Sequence, residues 1–252
     1  MSVAVDHPAP GVARIRIDRP DARNAINDAV RAGLFEALAE AKADPAVRAV
    51  VIGGMNRMFS AGGDLPSMVG LDEAAAYARL RDGHRIAALV WEYPKPVVAA
   101  VEKFAVGAGA GLALLADELV MGEGAMLGFP FARLGLLLDW GLSGTLRRRV
   151  GPETALRLYA AAASVKAPEA LDLRLADRVV ADDAVADTAV TRASNLANVA
   201  PTAFALAKAR QRGGADAALE LEREAREQAA CLVSAEFAEG YAAFREKREP
   251  RF

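Results

Sequence analysis

The amino-acid sequence predicts an α/β fold in which strands and helices alternate, followed by a C-terminal region made of helices alone. Short apolar runs that end near Gly or Pro indicate strands covered on both faces. Stretches with apolar residues at helical spacing separate these runs, and strand signals stop near residue 183. A chain of 252 residues lies at the upper end of what a single hydrophobic core serves. We therefore predict a core region over residues 1–182 and a helical region over residues 183–252, without an independent second domain.

The predicted strands differ in how they are covered. Val12–Ile17 nearly alternates apolar and polar side chains, which is typical of a half-exposed strand. Residues 47–52 and Val97–Val101 are apolar or nearly so, which favours strands buried on both faces. Two further strands are predicted at residues 118–121 and at Arg178–Val180.

The predicted helices are recognised by their caps and their apolar faces. Asn27 is a residue type that caps helix N-termini, and Val30, Leu34 and Leu38 recur on one face after it. A long helix over residues 72–91 carries one buried stripe, formed by Tyr77, Leu80, His84, Ala87 and Trp91. Further helices are predicted at residues 110–116, Val185–Ala197, Pro201–Arg212, 215–230 and Ala235–Glu246.

Composition and charge exclude several classes of partner. The net charge of −2 and the absence of a basic face argue against a nucleic-acid partner. No apolar run reaches the roughly 20 residues that a membrane span needs, so no membrane partner is expected. The single cysteine, Cys231, cannot form an internal disulfide, which fits a reducing environment. We therefore expect a cytoplasmic protein.

Two glycine-rich turns follow predicted buried strands, at residues 59–64 and 106–111. Their small residues leave backbone N–H groups uncovered and let a ligand approach the main chain closely. The second turn also opens a helix, whose first N–H groups carry partial positive charge. Two such turns directed at one point would form an oxyanion hole. Tight packing and phosphate binding are the alternatives for either turn alone.

Five segments of the chain resemble, in order, those of the crotonase (enoyl-CoA hydratase/isomerase) superfamily. The four internal segments are Arg-Pro-Asp-Ala-Arg-Asn-Ala at 19–25, Phe-Ser-Ala-Gly-Gly-Asp-Leu at 59–65, Lys-Pro-Val-Val-Ala-Ala-Val at 95–101 and Phe-Pro-Phe-Ala-Arg-Leu-Gly-Leu at 129–136. The fifth is C-terminal and runs from Glu239-Gly240 through Phe244-Arg245-Glu246-Lys247-Arg248. Together these segments span essentially the whole chain, and their combination is specific.

The resemblance implies an α/β fold built as a spiral of ββα turns, with a C-terminal helical region that forms a trimer interface. It implies a homotrimer or a dimer of trimers. It also implies an acyl-CoA substrate, so coenzyme A enters as part of the substrate, and neither a tightly bound cofactor nor a metal site is expected. By the family's pattern, the oxyanion donors are the backbone N–H groups of Gly63 and Ala108.

The sequence departs from the family's hydratases at the two positions that carry their glutamates. The first glutamate lies three residues after the second oxyanion donor, where this chain has Gly111. The second follows the proline of the Phe129-Pro130 segment, where this chain has Phe131. Because a hydratase needs two carboxylates to activate and orient water, the resemblance does not bring hydratase activity with it.

Asp139 is the candidate catalytic carboxyl. Apolar neighbours surround it in the sequence, so burial is expected to raise its pKa toward a value useful for proton transfer. In the family's enoyl-CoA isomerases and related ring-opening isomerases, an acid at this position moves the proton. The sequence therefore favours an enoyl-CoA isomerase that uses Asp139 for a 1,3-proton shift. The alternative structural role is that Asp139 caps the helix that follows it.

Three other functions remain open on the sequence. Aroyl-CoA dehalogenases of the family have a nucleophilic Asp at the position of Asp139 and a His at a spacing that matches His84, so dehalogenation or hydrolysis of a CoA thioester is the first alternative. A protein that binds acyl-CoA without turning it over is the second. An ordinary enoyl-CoA hydratase is the third. It is placed last because it would have to work without either glutamate.

The remaining site residues follow from the resemblance. The coenzyme is expected to contact residues of the first glycine turn and of the loop before it, which are Arg23, Ala25, Ala61, Asp64 and Leu65. Phe244 and Lys247 lie three apart on one helical face, and in relatives this pair reaches the coenzyme of a neighbouring subunit. The predicted acyl pocket is lined by His84, Phe131 and Trp140, although these side chains are equally compatible with a core position.

Overall fold

The computed structural model describes residues 2–213 and 215–252 and has an α/β architecture. The strands are β1 (Val3–Ala9), β2 (Val12–Ile17), β3 (Ala49–Gly54), β4 (Val97–Val101), β5 (Phe104–Val106), β6 (Glu118–Gly122), β7 (Met126–Gly128), β8 (Ser164–Lys166) and β9 (Arg178–Val180). The helices are α1 (Asp28–Ala43), α2 (Glu73–Trp91), α3 (Ala108–Leu114), α4 (Leu142–Val150), α5 (Pro152–Ala160), α6 (Ala167–Asp172), α7 (Val185–Ala197), α8 (Pro201–Arg212), α9 (Ala215–Leu232) and α10 (Ala235–Glu246).

The strands form two sheets, and the chain alternates between them. The larger sheet has the order β1-β2-β3-β4-β6-β9 and is parallel except for the β1–β2 hairpin. The smaller sheet has the order β5-β7-β8. The chain passes from β4 in the larger sheet to β5 in the smaller and then into α3, and it repeats the step from β6 to β7. Each pass is a ββα turn, and successive passes stack as a spiral.

The larger sheet is buried on both faces because each central strand sends alternate side chains to opposite sides. In β3, Val50 and Ile52 pack into the main core, which α1, α2 and α3 cover. Ala49 and Val51 point the other way, into a second apolar cluster. This two-sided burial explains why the central strands read as continuous apolar runs.

Helix α7 covers the second face of the sheet. It contributes Val185, Ala189, Ala193 and Ala197, which repeat every four residues along one side of the helix. The small alanine side chains allow the helix to lie close to the strands. The predicted C-terminal helical region thus begins with a helix that packs directly on the sheet of the core region.

Helices α1 and α2 begin where their sequences predict. The Asn27 side chain accepts a hydrogen bond from the Val30 N–H at 3.0 Å, and the Asp72 side chain accepts one from the Ala75 N–H at 2.7 Å. Each contact satisfies an N–H that the helix itself leaves unpaired. Helix α2 packs along α9, and these two helices hold the polar side chains discussed below. Among the described helices, none combines the length and the apolar composition needed to cross a membrane.

The strand predictions were correct for three strands of the larger sheet and missed β1 and the whole of the smaller sheet. Val12–Ile17, Val97–Val101 and Arg178–Val180 are confirmed at both ends. The hairpin strand β1 and the three strands of the smaller sheet were not predicted. The three strands of the smaller sheet have three residues each, too few to show a period of two, so their pairing is visible only in the fold.

We predict that Ile52→Ala lowers the free energy of unfolding by about 2–5 kcal/mol, because Ile52 is fully buried at the centre of the sheet. Urea unfolding followed by circular dichroism measures the change. The control is Glu36→Ala on the exposed side of α1, which should change the free energy by less than about 0.5 kcal/mol. Equal effects of the two substitutions would contradict the assignment of Ile52 to the core.

Candidate active site

The two glycine-rich turns lie side by side at the end of the spiral's first pass. Ser60 forms a parallel bridge with Ala105, since its N–H donates to the Phe104 carbonyl at 3.1 Å and its carbonyl accepts from Val106 at 3.0 Å. Gly62 has a φ of +92°, and a Cβ there would overlap the carbonyl oxygen of Val106. Only a residue without a side chain permits this approach of the two main chains.

The backbone N–H groups of Gly63 and Ala108 are both free of partners within the described part of the chain. The residues on either side of Gly63 bond to Ile26: the Gly62 carbonyl accepts from its N–H at 2.7 Å, and Asp64 donates to its carbonyl at 3.2 Å. Ala108 is the first residue of α3, where a helix leaves its N–H groups unpaired. Both residues line one cavity, so two residues with unpaired N–H groups belong to the same wall.

This cavity has a volume of about 690 Å³ and lies between the turns, α2 and the C-terminal helices. Its wall contains most of the residues singled out in the sequence, namely Ala61, Gly63, Leu65, Ala108, Phe131, Asp139, Trp140, Phe244 and Lys247. Phe244 and Lys247 therefore line the cavity of their own chain. A mainly apolar cavity with a few convergent polar groups is typical of a small-molecule site.

Asp139 is the buried carboxyl of the cavity wall. Its side chain is almost fully enclosed, and Gln228 Nε2 donates to its Oδ2 at 3.5 Å. Its Oδ1 has no hydrogen-bond partner among the described residues. Burial raises the pKa of Asp139 to about 7, and the nearby charge of Glu224 adds to this effect. Near neutral pH the group therefore exists in both forms, and it can accept or give up a proton.

Helix α9 positions the loop that carries Asp139, through two side chains that sequence reasoning missed. The Glu224 carboxylate accepts from the Gly141 N–H at 2.8 Å and from the Ser143 N–H at 3.4 Å. Gln228, one turn further on, accepts from the Leu137 N–H at 2.6 Å. The signal was present, because both polar residues lie beside the buried apolar positions of α9. The loop that they contact is about 85 residues away in the chain, and no sequence pattern indicates this contact.

The helix-capping role considered for Asp139 is wrong. Helix α4 begins after Gly141, and the carboxylate at its N-terminus belongs to Glu224. The Asp139 side chain turns instead toward Gln228 and the cavity. Its carboxyl is thus not occupied in holding a helix end.

His84 does not line the cavity, against the expectation from the sequence. It is buried on α2, and its Nε2 lies 3.1 Å from Glu224 Oε1. The direction of the contact is poor for a hydrogen bond, so both ring nitrogens are without a hydrogen-bond partner among the described residues. His84 is therefore a neighbour of the loop support and not a group that faces a ligand.

Trp140 fills the space that a side chain at position 111 would need. A Cβ on Gly111 would lie 2.7 Å from the Trp140 Cβ and 3.1 Å from its carbonyl oxygen. The Trp140 indole packs against Gly83 of α2, where a Cβ would lie 3.2 Å from its Nε1. Trp140 itself has a φ of +55°, a conformation uncommon for a bulky residue. The position of Trp140 therefore requires a glycine at 111.

The residues expected to contact the coenzyme fall into two groups. Ala61 and Leu65 are in the cavity wall, whereas Arg23, Ala25 and Asp64 lie beside it. Asp64 pairs with Arg19 at 3.0 Å, and Arg19 also donates to the Ala25 carbonyl at 3.3 Å. The Arg23 carbonyl accepts from the Ala61 N–H at 3.0 Å. These contacts shape the first glycine turn, and a direct role of the three residues in coenzyme binding stays a prediction.

We predict a strong coupling between Gly111 and Trp140. Gly111→Ala should lower the free energy of unfolding by about 1–3 kcal/mol, because its Cβ would overlap that of Trp140. In a Trp140→Gly background the same substitution should cost less, since the overlapping Cβ is gone and only the main-chain oxygens of residues 139 and 140 remain close. Thermal unfolding of the two single variants and the double variant measures the coupling. The same cost in both backgrounds would contradict the steric argument.

The chain matches the family model for enoyl-CoA hydratase/isomerase over residues 8–252. It is 35% identical over 243 residues to the 2,3-dehydroadipyl-CoA hydratase of Escherichia coli K12, covering 96% of this chain and 94% of that protein. It is 32% identical over 264 residues to the 1,2-epoxyphenylacetyl-CoA isomerase of the same organism, covering 100% and 98% of the two chains. The crystal structure of an enoyl-CoA hydratase/isomerase from Pseudoalteromonas atlantica matches with a TM-score of 0.89, 30% identity and full coverage of both chains.

These matches extend over the two glycine turns, the Asp139 loop and the C-terminal helices. They agree with the ββα spiral and with the paired backbone donors at one cavity. The chain therefore belongs to the crotonase superfamily, and it is an acyl-CoA-processing enzyme of the enoyl-CoA hydratase/isomerase family.

Proposed function

We propose that this enzyme is an enoyl-CoA isomerase, in which Asp139 moves a proton from C2 to C4 of a 3-enoyl thioester. The observation that carries the proposal is a single buried carboxyl, among the described residues, in the wall of the cavity that holds the two free backbone donors. The other carboxyl of the wall, Glu249, is exposed at the rim and pairs with Arg133 at 3.4 Å. One acid–base group suffices for a 1,3-shift, because it takes the proton from one carbon and returns it to the other.

The proposed reaction uses the site as follows. The thioester oxygen accepts hydrogen bonds from the N–H groups of Gly63 and Ala108. The Asp139 carboxylate removes a proton from C2, and the electron pair delocalises onto the thioester oxygen and over the double bond. The two donors stabilise this negative charge. The protonated Asp139 then delivers the proton to C4, which leaves the double bond conjugated with the thioester. A pKa of about 7 suits both steps, since neither form is strongly favoured.

Hydration of a 2-enoyl-CoA is the second candidate, favoured by relatives that are named as hydratases. The environment of position 111 counts against it. The space for a side chain there is taken by Trp140, and Phe131 replaces the second carboxylate. The relative named as an isomerase matches over the whole of this chain, which supports the first candidate.

Hydrolysis or dehalogenation with Asp139 as nucleophile has weaker support. It needs a base that activates water in the cavity, and His84 is buried beside Glu224 instead. The homotrimer or dimer of trimers and the cytoplasmic location that the sequence suggested stay predictions.

We predict that Asp139→Asn lowers kcat for conversion of a 3-enoyl-CoA into a 2-enoyl-CoA by about 100- to 10,000-fold, because the amide cannot carry the proton. The ultraviolet absorbance of the conjugated thioester reports the reaction. The control is Asp172→Asn at an exposed position of α6, which should retain full activity. An active Asp139→Asn enzyme, or a wild type that hydrates 2-enoyl-CoA faster than it isomerises 3-enoyl-CoA, would overturn the proposal.

We predict that kcat/KM rises with pH and levels off above about pH 7, because proton removal needs the carboxylate form of Asp139 and its pKa is raised to about 7. Glu224→Gln should move this inflection to lower pH. It removes a negative charge that raises the pKa of Asp139, while the amide oxygen can still accept from the Gly141 N–H.

The matched control for this pH profile is Glu227→Gln on the exposed side of the same helix, where the carboxylate pairs with Arg223. Its profile should coincide with that of the wild type. An unmoved inflection in Glu224→Gln, or an equal movement in both variants, would show that Glu224 does not tune Asp139.

A further inference from the structure

Two arginines line the wall of the active-site cavity. A hydrocarbon acyl chain has no acceptor for their hydrogen bonds. Arg31 comes from α1 and Arg79 from α2. Their side chains are only 6% and 12% exposed. The adjoining wall is apolar and consists of Ile26, Leu65, Met68 and Leu80. A buried guanidinium is costly unless acceptors satisfy it, so these two residues need a reason to face the cavity.

The hydrogen bonds of Arg31 explain its position. Its Nε donates to Asp82 at 2.9 Å, and one terminal nitrogen donates to Asp28 at 2.6 Å. Both carboxylates are partly or largely exposed, with side-chain accessibilities of 48% and 83%. Arg31 is thus held from the outer side by two acids, and its charge is balanced there.

Arg79 is different, because most of its donors are unused. A guanidinium has five N–H donors. The only protein acceptor of Arg79 in the described residues is Asp28 Oδ1, at 3.4 Å, and that oxygen is already shared with Arg31. The remaining nitrogens of Arg79 are not sealed from solvent, and the residue lines the cavity. Its free donors are therefore available to a ligand.

Arg79 is a desolvated cation next to a second cation. Burial lowers the pKa of the Arg79 guanidinium and the positive charge of Arg31 lowers it further, while the charges of Asp28, Asp64 and Asp139 offset part of this effect. A positive group held in an unfavourable environment gains from a negative ligand. The planar fork of an arginine matches a carboxylate or a phosphate in particular.

The acyl end of the substrate is the source of the anion that fits best. Arg79 lines the same cavity as Asp139 and the two oxyanion donors. Leu80, the next residue on α2, also lines the cavity. Lys247 at the C-terminal side of the cavity offers a separate positive charge for the phosphates of the coenzyme, whereas Arg248 pairs with Glu239 and Glu246.

We propose that Arg79, supported by Arg31, binds a carboxylate on the acyl chain, so that the enzyme acts on the CoA monothioester of a dicarboxylic acid. This inference rests on the proposed function for the orientation of the thioester at Gly63 and Ala108. The chemistry requires no added group, because the carboxylate only anchors the far end of the chain.

The test uses saturated thioesters, which bind but cannot isomerise. Calorimetry compares matched pairs that differ only at the end of the chain: butanoyl- and butanedioyl-CoA, hexanoyl- and hexanedioyl-CoA, and octanoyl- and octanedioyl-CoA. In at least one pair the carboxylate should bind the wild type about 10- to 100-fold more tightly, as expected for a charge-assisted pair of hydrogen bonds. Arg79→Gln should abolish this preference, and Arg79→Lys should keep part of it.

The control is Arg81→Gln, whose side chain is on the outer side of α2 and pairs with Glu222. It should keep the wild-type preference. Free coenzyme A is the second ligand control. If Arg79→Gln weakens free coenzyme A as much as the dicarboxylic thioesters, Arg79 binds a coenzyme phosphate and the proposal is overturned. A wild type without a preference in any pair overturns it as well. Because binding needs no turnover, failure of the isomerase assay and failure of this subsite are separate outcomes.

Discussion

The close approach of the two glycine turns is the constraint on which the site depends. Ser60 and Ala105 pair as neighbouring strands do, which brings the turn after β3 against the turn before α3. Gly62 and Gly109 make the approach possible, because a Cβ at either position would overlap the facing main chain or Ser60. The backbone N–H groups of Gly63 and Ala108 can then face one cavity without movement of the protein. Donors fixed in this way stabilise a developing negative charge without paying for reorientation.

The acid that complements these donors is held from the other end of the chain. Glu224 and Gln228 of α9 bond to the main chain around Asp139 and leave one of its carboxylate oxygens without a partner. The arrangement places a negative charge and a low-polarity environment next to the same carboxyl, and both raise its pKa. A buried carboxyl with a raised pKa in the wall of a cavity is typical of a functional group and not of one that stabilises the fold.

The choice of reaction and the choice of substrate depend on what fills the rest of the cavity. Trp140 occupies the volume next to Gly111, so the family's first hydratase carboxylate has no room there. Arg31 and Arg79, which also line the wall, bring positive charge to a cavity that is otherwise mainly apolar. The same oxyanion hole can thus serve a different proton transfer and a different acyl group when a few neighbouring side chains change.

The sequence alone determined the α/β class, the family, the start of α1, the bounds of α7, α8 and α10, and the two glycine-rich turns, because these depend on local periodicity, on a cap such as Asn27, and on motifs contiguous in the chain. It also singled out Asp139 and the missing glutamates. Only the tertiary structure showed the short strands of the smaller sheet, the support of Asp139 by Glu224, the withdrawal of His84 from the cavity and the meeting of Arg31 with Arg79. These features join residues that are distant in the chain. Helix packing decides which of these residues come into contact, and no local pattern shows it.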